Sequence, residues 1–275
     1  NNTTGCFIAV PSVTIEVQEA AQANSDLNRI NYILCDNLGD NDGLATFTLS
    51  SQDEELLDGQ DPVNFTVSYY LTLEDAEAGT TPLANSYVNT SNPQIIYARV
   101  DNDTTADAQC YAIADLTLIV NLLPEFTLED IYLGCVNVNG SELLDIVVMD
   151  IGLDPAFYSF EWFDPTGTLV GTEVTYTPLV GGTFTAIVTN LDTGCENSVT
   201  TLVDPSSPPE VSAVVTTEFF ADMHTIQAFA TGEGIYEFSL DDGPWQDNGL
   251  SEDVTPGFHN VTARDVNGCG TATTQ

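Results

Sequence analysis

The stretch "AQCYAIADLTLIVNLLPE", residues 108–125, decides the fold: a lone cysteine precedes a partly alternating apolar run that ends at a proline. Similar stretches begin at three other places, "TGCFIAVPSVTIEVQEA" at Thr4, "TGCENSVTTLVDPSSPPE" at Thr193 and "NGCGTATTQ" at Asn267. Alternation of this kind is typical of a half-buried β-strand. The recurrence indicates a repeated β module in which each of these stretches is the closing strand.

The repeat divides the chain into four parts. We expect the terminal strand of a truncated preceding module at 1–21, β-sandwich modules at 22–123 and 124–205 (the latter PKD-like), and a last sandwich module at 206–275. The stretch "DPSSPPE", Asp204 to Glu210, predicts a proline-rich hinge between the last two modules. Because the first strand has no module of its own before it, the chain is expected to be a segment of a longer protein.

Inside the modules the sequence has the period of strands. Runs such as "NFTVSYYLT", "QIIYARV" and "GGTFTAIVTN" are rich in β-branched and aromatic residues, and only "DEELLDG" and "LEDAEAG" are typical of short helices. Turn signals recur about every 8 to 12 residues, as in sandwich domains. The predicted fold class is therefore all-β, with serial immunoglobulin-like or PKD-like sandwiches, and Trp162 is predicted to lie in the core of its module.

The charge balance is extreme, with 42 acidic residues against 3 basic ones and a net charge of −39. Such a surface repels nucleic acid and anionic lipid, and it attracts divalent cations. No apolar run reaches the length of about 18 residues that a membrane-spanning helix needs. We therefore expect neither binding of nucleic acid nor insertion into a membrane. We expect the acidic surface to attract divalent cations.

The six cysteines indicate a compartment outside the cytosol. Cys35 and Cys110 bracket one module, and Cys135 and Cys195 bracket the next, so we expect one disulfide inside each of these modules. Reduced core cysteines are the alternative, and no cysteine pair has the short spacing typical of zinc ligands. Cys6 and Cys269 have no partner in this scheme.

Two acidic loops are candidate calcium sites because each collects several oxygen donors in a few residues. The first lies in "DNLGDNDG" and comprises Asp36, Asp40, Asn41 and Asp42; the second, in "LDDGPWQDNG", comprises Asp241, Asp242 and Asp247. Neither has the full EF-hand pattern, and ordinary Asp/Asn/Gly turns are the alternative interpretation. No cofactor other than calcium is expected.

Other candidate residues are few. Trp245, in the second acidic loop, is a candidate for stacking on a sugar, with a core-capping role as the alternative. Arg99 and Arg264 each precede an Asp-containing turn and are predicted to pair with a neighbouring carboxylate in a weak surface ion pair. No nucleophile elbow, zinc-protease motif or phosphate loop is present in the sequence, so we do not expect an enzyme.

Several stretches carry a specific resemblance. "CDNLGDNDGLATFTL", "YVNTSNPQIIYARVDN" and "YEFSLDDGPWQDNGLSEDVTPGFHNVTARDVNGCGTATTQ" resemble repeat modules of large Bacteroidetes surface proteins, including gliding-motility adhesins of the SprB kind. The last stretch resembles the unit that precedes the sorting domain of the type IX secretion system. The resemblance implies a secreted, cell-surface protein outside the outer membrane, and it implies O-glycosylation at Thr104 in "DTT".

Three functions follow from these observations. The first is a structural or adhesive stalk segment, whose partners are other modules of the same protein or other copies in a filament. The second is a module that binds a glycan or a protein through loops such as the one around Trp245. The third is an accessory region of a secreted enzyme whose catalytic domain lies elsewhere.

Overall fold

The structure is a computed structural model that describes residues 19–24, 30–104 and 110–275. It divides into two compact units, Asn1–Leu122 and Leu123–Gln275. Cys6 lies outside the described residues, and so does the predicted terminal strand at 1–21 except for residues 19–21. Among the described residues, neither helix is long and apolar enough to cross a bilayer.

The first unit is a sandwich built on a four-stranded sheet. Its strands are β1 (Ile30–Cys35), β2 (Thr46–Thr48), β3 (Phe65–Tyr70), β4 (Ser86–Val88), β5 (Gln94–Asn102) and β6 (Tyr111–Asn121), and its helices are α1 (Asp53–Leu57) and α2 (Leu73–Ala78). The larger sheet has the order β1-β6-β5-β3, and β2 pairs with β4. Residues Tyr111–Asn121 of the cysteine-led stretch therefore form an inner strand of the sheet, β6.

Alternation along β6 builds the core of this unit. Leu116 and Leu118 are fully buried and pack with Phe47 of the small sheet and Leu56 of α1. Further along the same face, Leu57, Phe65 and Val100 form a second, smaller cluster. This face of the sheet is thus covered by the small sheet and by α1.

Arg99 does more than the predicted surface pairing. Its guanidinium donates to Asp101 through Nε and Nη2, and Nη1 donates to the carbonyls of Ala76 and Glu77 at the end of α2. Arg99 is 5% exposed. Desolvation opposes its charge, but the hydrogen bonds to Asp101 dominate and raise the pKa of the arginine. The predicted carboxylate pairing is confirmed, while the surface location is wrong, because this arginine is a buried clamp on a helix C-terminus.

The second unit contains two sandwiches in series. The strands of the first are β7 (Ile131–Cys135), β8 (Met149–Asp150), β9 (Tyr158–Phe163), β10 (Leu169–Gly171), β11 (Thr175–Tyr176), β12 (Gly182–Asn190) and β13 (Glu196–Ser206). Its sheets have the orders β10-β9-β12-β13-β7 and β11-β8. We call this part the middle sandwich.

The C-terminal sandwich has three strands in each of its two sheets. Its strands are β14 (Glu210–Val215), β15 (His224–Thr231), β16 (Tyr236–Leu240), β17 (Leu250–Val254), β18 (Val261–Asp265) and β19 (Thr271–Thr274), in the orders β14-β15-β17 and β16-β18-β19. Its core cluster is small and consists of Ile226, Ala228, Val254 and Val261. The predicted all-β, immunoglobulin-like fold class is confirmed.

Trp162 organises the core of the middle sandwich, as predicted. It is fully buried, stacks on Tyr176 at 5.7 Å between ring centroids, and donates from Nε1 to the carbonyl of Glu173 at 2.8 Å. Phe184 also packs on Tyr176, with the ring centroids 5.8 Å apart. The indole therefore fills the space between the two sheets and satisfies its only polar group.

We predict that Trp162→Ala lowers the free energy of unfolding by about 3 to 5 kcal/mol, because it leaves a large cavity in a closed core. Chemical denaturation followed by circular dichroism measures this. Trp245→Ala is the matched control, since that indole is 38% exposed, and its cost should be near 1 kcal/mol. Equal costs for the two variants would disprove the assigned role of Trp162.

Candidate functional site

The placement of the cysteines follows from how the first and last strands pair. In the first unit β1 runs parallel to β6, with Cys35 opposite Asn121. In the middle sandwich β7 runs parallel to β13, with Cys135 opposite Ser206. The first cysteine of each module therefore lies beside the last residue of its closing strand, at the end of the module where the chain leaves.

This pairing makes both predicted intramodule disulfides wrong. Cys195 directly precedes the eleven-residue strand β13, so the length of that strand, about 35 Å, separates it from Cys135. Cys110 stands in the same position before β6. A disulfide needs Cα atoms about 4 to 7 Å apart. The expectation that the opening and closing cysteines of a module meet fails because the parallel pairing places them at opposite ends of the module.

Cys135 is bonded to Cys269 instead, with a Cα–Cα distance of 5.2 Å and a sequence separation of 134 residues. Cys269 directly precedes the short connection to β19, the last strand of the C-terminal sandwich. The disulfide therefore joins the exit end of the middle sandwich to the next sandwich. Cys35 and Cys195 are also disulfide-bonded, and Cys110 is a free, half-buried cysteine.

The predicted hinge at Asp204 to Glu210 is also wrong. Its first three residues belong to β13, and Ser206 and Ser207 are completely buried. The carbonyl of Ser206 accepts from the Val136 amide at 2.7 Å, and the Ser207 hydroxyl accepts from the Glu233 amide at 2.9 Å. Prolines that interrupt a buried, hydrogen-bonded segment stiffen it, because they fix φ and remove donors without creating freedom.

A buried carboxylate lies beside the disulfide. Asp265 is 2% exposed; one of its carboxylate oxygens, Oδ2, accepts from the Cys269 amide at 3.0 Å, and its own amide donates to Gly270. A Cβ at Gly234, where φ is +148°, would come within 2.7 Å of both Asp265 Oδ1 and Ser206 Oγ. The glycine therefore lets the connection to β16 cross closely over this site, and we call the set Cys135, Cys269, Ser206, Ser207 and Asp265 the disulfide junction.

The first acidic loop brings three of its four predicted ligands together. Asp36, Asp40 and Asp42 each place one carboxylate oxygen within 4.8 Å of the others. Asp36 is buried, and its two oxygens accept from the amides of Leu38 and Gly43. Asn41 has a left-handed φ of +52° and belongs to the same turn. The calcium site at this loop stays a prediction, with the Asp36 carboxylate serving the loop backbone as well.

We predict that calcium at about a hundred times its Kd raises the stability of the protein by about 2.7 kcal/mol, because it binds the folded loop only. Asp40→Asn with Asp42→Asn should abolish that increase, and Asp36 is left intact because it holds the loop. Asp145→Asn, an exposed acid elsewhere, is the control. Thermal unfolding with and without calcium measures the effect, and an increase that survives the double substitution would remove this loop as the site.

The second acidic loop is a hairpin turn. Asp241 and Asp242 both have positive φ, at 48° and 58°, and the Gly243 amide donates to the Leu240 carbonyl. This is the geometry of a tight hairpin connection. Asp241, Asp242 and Asp247 do not form a cluster of ligand atoms among the described residues, so the structure does not bring this predicted metal set together.

Asp241 instead holds His259, a contact that the sequence analysis missed. His259 Nδ1 lies 2.5 Å from Asp241 Oδ2, and His259 Nε2 lies 2.8 Å from the Thr255 carbonyl. Both partners are acceptors, so both contacts are hydrogen bonds only when the imidazole carries two protons. The bond to Asp241, with a smaller contribution from Thr255, raises the pKa of His259 above its usual 6.5 and lowers the pKa of Asp241.

We predict a pH dependence from this pair. The raised pKa of His259 gives a contribution to stability that is complete below about pH 6.5 and is lost as the pH rises through the pKa of the folded state. The lowered pKa of Asp241 gives a contribution that is lost as the pH falls through its own folded value in the acid range. The midpoint temperature of thermal unfolding should therefore decrease as the pH rises through the folded-state pKa of His259. The His259→Gln variant should show a smaller decrease over the same pH range. The control, His224→Gln, removes the other histidine; an equally small decrease there would refute the assignment.

Two other predicted residues are exposed in part or in full. Trp245 is 38% exposed, and the Arg264 guanidinium lies 4.2 Å from the centre of its ring while pairing with Glu237 at 2.6 Å. One face of the indole is therefore covered, which leaves less surface for a sugar than predicted. Thr104 lies in an exposed turn, where its hydroxyl donates to Asn102. Its glycosylation stays a prediction.

The geometry defines the class of protein as serial immunoglobulin-like sandwiches, two of which are joined by a disulfide. Residues 31–124 match the family model FIDD, described as the Flavobacterium inter-domain disulphide bond domain. The matched segment contains Cys35 and Cys110, and it covers the first unit from β1 to the end of β6. No curated protein matches the chain.

The solved structures that resemble this chain include tandem immunoglobulin domains. The first eight Ig domains of Down Syndrome Cell Adhesion Molecule isoform 1.30.30 match with 11% identity and a TM-score of 0.37, over 84% of this chain and 36% of that one. Sidekick-1 Ig domains 1–4 match with 11% identity and a TM-score of 0.31, over 93% and 74%. The chain thus spans about a third of the first of these, and likeness at this level concerns the fold class alone.

Proposed function

We propose that this chain is a non-enzymatic structural and adhesive segment of a secreted bacterial cell-surface protein. The observation that carries the proposal is the Cys135–Cys269 disulfide, which joins two successive sandwiches and encloses almost all of the second unit in one covalent loop. Disulfides of this kind persist outside the cytosol. The family whose model residues 31–124 match is also named for an inter-domain disulfide.

The disulfide junction gives the segment a mechanical property. Under a load that enters the second unit near Glu125 and leaves at Gln275, the Cys135–Cys269 bond prevents the chain between the two cysteines from being pulled out to its extended length. Further hydrogen bonds lie beside the disulfide, and they are made by buried Ser206, buried Ser207 and the carboxylate of Asp265. Such an arrangement suits a stalk that must keep its length when the cell surface is pulled.

The finer assignment rests on the resemblance and on the acidic surface. We propose that the parent protein is a gliding-motility adhesin of Bacteroidetes, displayed outside the outer membrane after export by the type IX system. A net charge of −39 favours an extended, soluble chain of modules through mutual repulsion. Binding of a glycan at Trp245 is less favoured, because Arg264 covers one face of that ring.

Single-molecule stretching tests the mechanical role, with handles attached at Glu125 and Gln275. The oxidised protein should release only the short segments outside the covalent loop. Cys135→Ser with Cys269→Ser should release the additional 134 residues, which adds roughly 450 Å of contour length. Cys110→Ser, which removes the free cysteine and leaves the disulfide, is the matched control. Equal released lengths for the oxidised protein and the double variant would contradict the proposal.

A further inference from the structure

One end of the C-terminal sandwich exposes an unusual amount of aromatic surface. Phe219, Phe220 and Phe258 are 93%, 102% and 90% exposed, and no other large apolar side chain in the described part of the chain exceeds 83%. The first two lie in the turn between β14 and β15, and the third lies between β17 and β18. Each phenylalanine left in water forgoes about 1.5 to 3 kcal/mol of burial. Their concentration on one end marks an interaction surface.

A groove of about 490 Å³ lies between these two segments, and Phe219 and Phe258 both line it. Ile226, Val254 and Val261 also line the groove, and all three belong to the core cluster of this sandwich. The groove therefore opens onto the hydrophobic core of this sandwich. In a sandwich with more strands, side chains of an additional strand would cover these core residues. An occupant needs apolar groups to fill it.

Two segments of the C-terminal sandwich form the walls of the groove. One wall is the end of edge strand β14, with exposed Val214 and Val215. The opposite wall is the segment Thr255–His259, which His259 fastens to Asp241 and to the Thr255 carbonyl. Phe258 therefore sits on a segment that the ion pair holds in place. Because this wall is already ordered, binding of an occupant does not carry the entropic cost of ordering a loop.

The charges around the groove select its occupant. Glu218 lines the groove, Glu252 and Asp253 precede Val254 in β17, and all three are exposed. Arg264, the only arginine of this sandwich, is already paired with Glu237, and the imidazole of His259 in the groove wall is paired with Asp241. The surrounding surface attracts a cationic partner and repels an anionic one, and it also repels a second copy of a chain whose net charge is −39.

We propose that this groove, between the β14–β15 turn and the Thr255–His259 segment, binds an extended segment of another protein in which apolar residues alternate with lysine or arginine. The apolar side chains occupy the groove between Phe219 and Phe258, and the basic side chains meet Glu218 and the acidic residues of β17. The inference goes beyond the stalk role and does not depend on it, because the groove is formed by residues of the C-terminal sandwich alone.

Fluorescence anisotropy of the 275-residue chain with labelled peptides tests this at physiological salt. The probe is a ten-residue peptide of alternating valine and lysine, compared with peptides in which serine replaces valine or glutamate replaces lysine. We expect saturable binding of the valine–lysine peptide alone. Phe219→Ser with Phe258→Ser should weaken it by about tenfold or more, as loss of two aromatic anchors does.

The controls separate the groove from general attraction to an acidic protein. Phe157→Ser removes an exposed phenylalanine of the middle sandwich and should leave binding unchanged, and circular dichroism confirms that each variant is folded. Equal binding of the serine–lysine peptide, no binding of the valine–lysine peptide, or binding that survives the double substitution would overturn the proposal. Dimerisation of the chain that the double substitution abolishes would also overturn it, since a second copy would then fill the groove.

Discussion

The parallel pairing of the first strand of a module with its last strand is the constraint on which the rest of this structure depends. In an antiparallel arrangement the cysteine at the end of β7 would lie beside the start of β13, within reach of Cys195. Because β7 and β13 run in the same direction, Cys135 lies beside Ser206 instead. The cysteine is thereby carried to the exit of the middle sandwich, where the following sandwich begins.

Three features of the second unit follow from that placement. Cys135 meets Cys269 and closes a covalent loop through two sandwiches. The connecting segment at Ser206 and Ser207 is buried under that bond, so its prolines stiffen a junction. Gly234 and Asp265 pack beside the disulfide because the bond holds the C-terminal sandwich against the exit end of the middle sandwich. The small core of the C-terminal sandwich is consistent with a module that relies on its neighbour and on a crosslink for stability.

Much of the fold could be predicted from the sequence. The strand runs "NFTVSYYLT" and "QIIYARV" became β3 and β5, the two acidic helical stretches became α1 and α2, and Trp162 is buried, because local period and residue type determine these features. The disulfide pattern could not be predicted, since cysteine spacing does not reveal whether two strands run parallel. The Asp241–His259 pair joins residues 18 positions apart with β17 between them in the sequence, and they meet because β16 and β18 pair antiparallel, with Leu240 opposite Val261. The aromatic end of the last sandwich was missed because phenylalanine in a strand-rich sequence is typical of a core.

The most direct test of this account is a map of the disulfides in the unreduced protein, cleaved at its acidic residues and analysed by mass spectrometry. The account predicts one linked peptide pair that contains Cys135 and Cys269, together with an unlinked peptide that contains Cys110. A pair that links Cys135 to Cys195, or Cys35 to Cys110, would contradict it, because neither bond is compatible with parallel first and last strands.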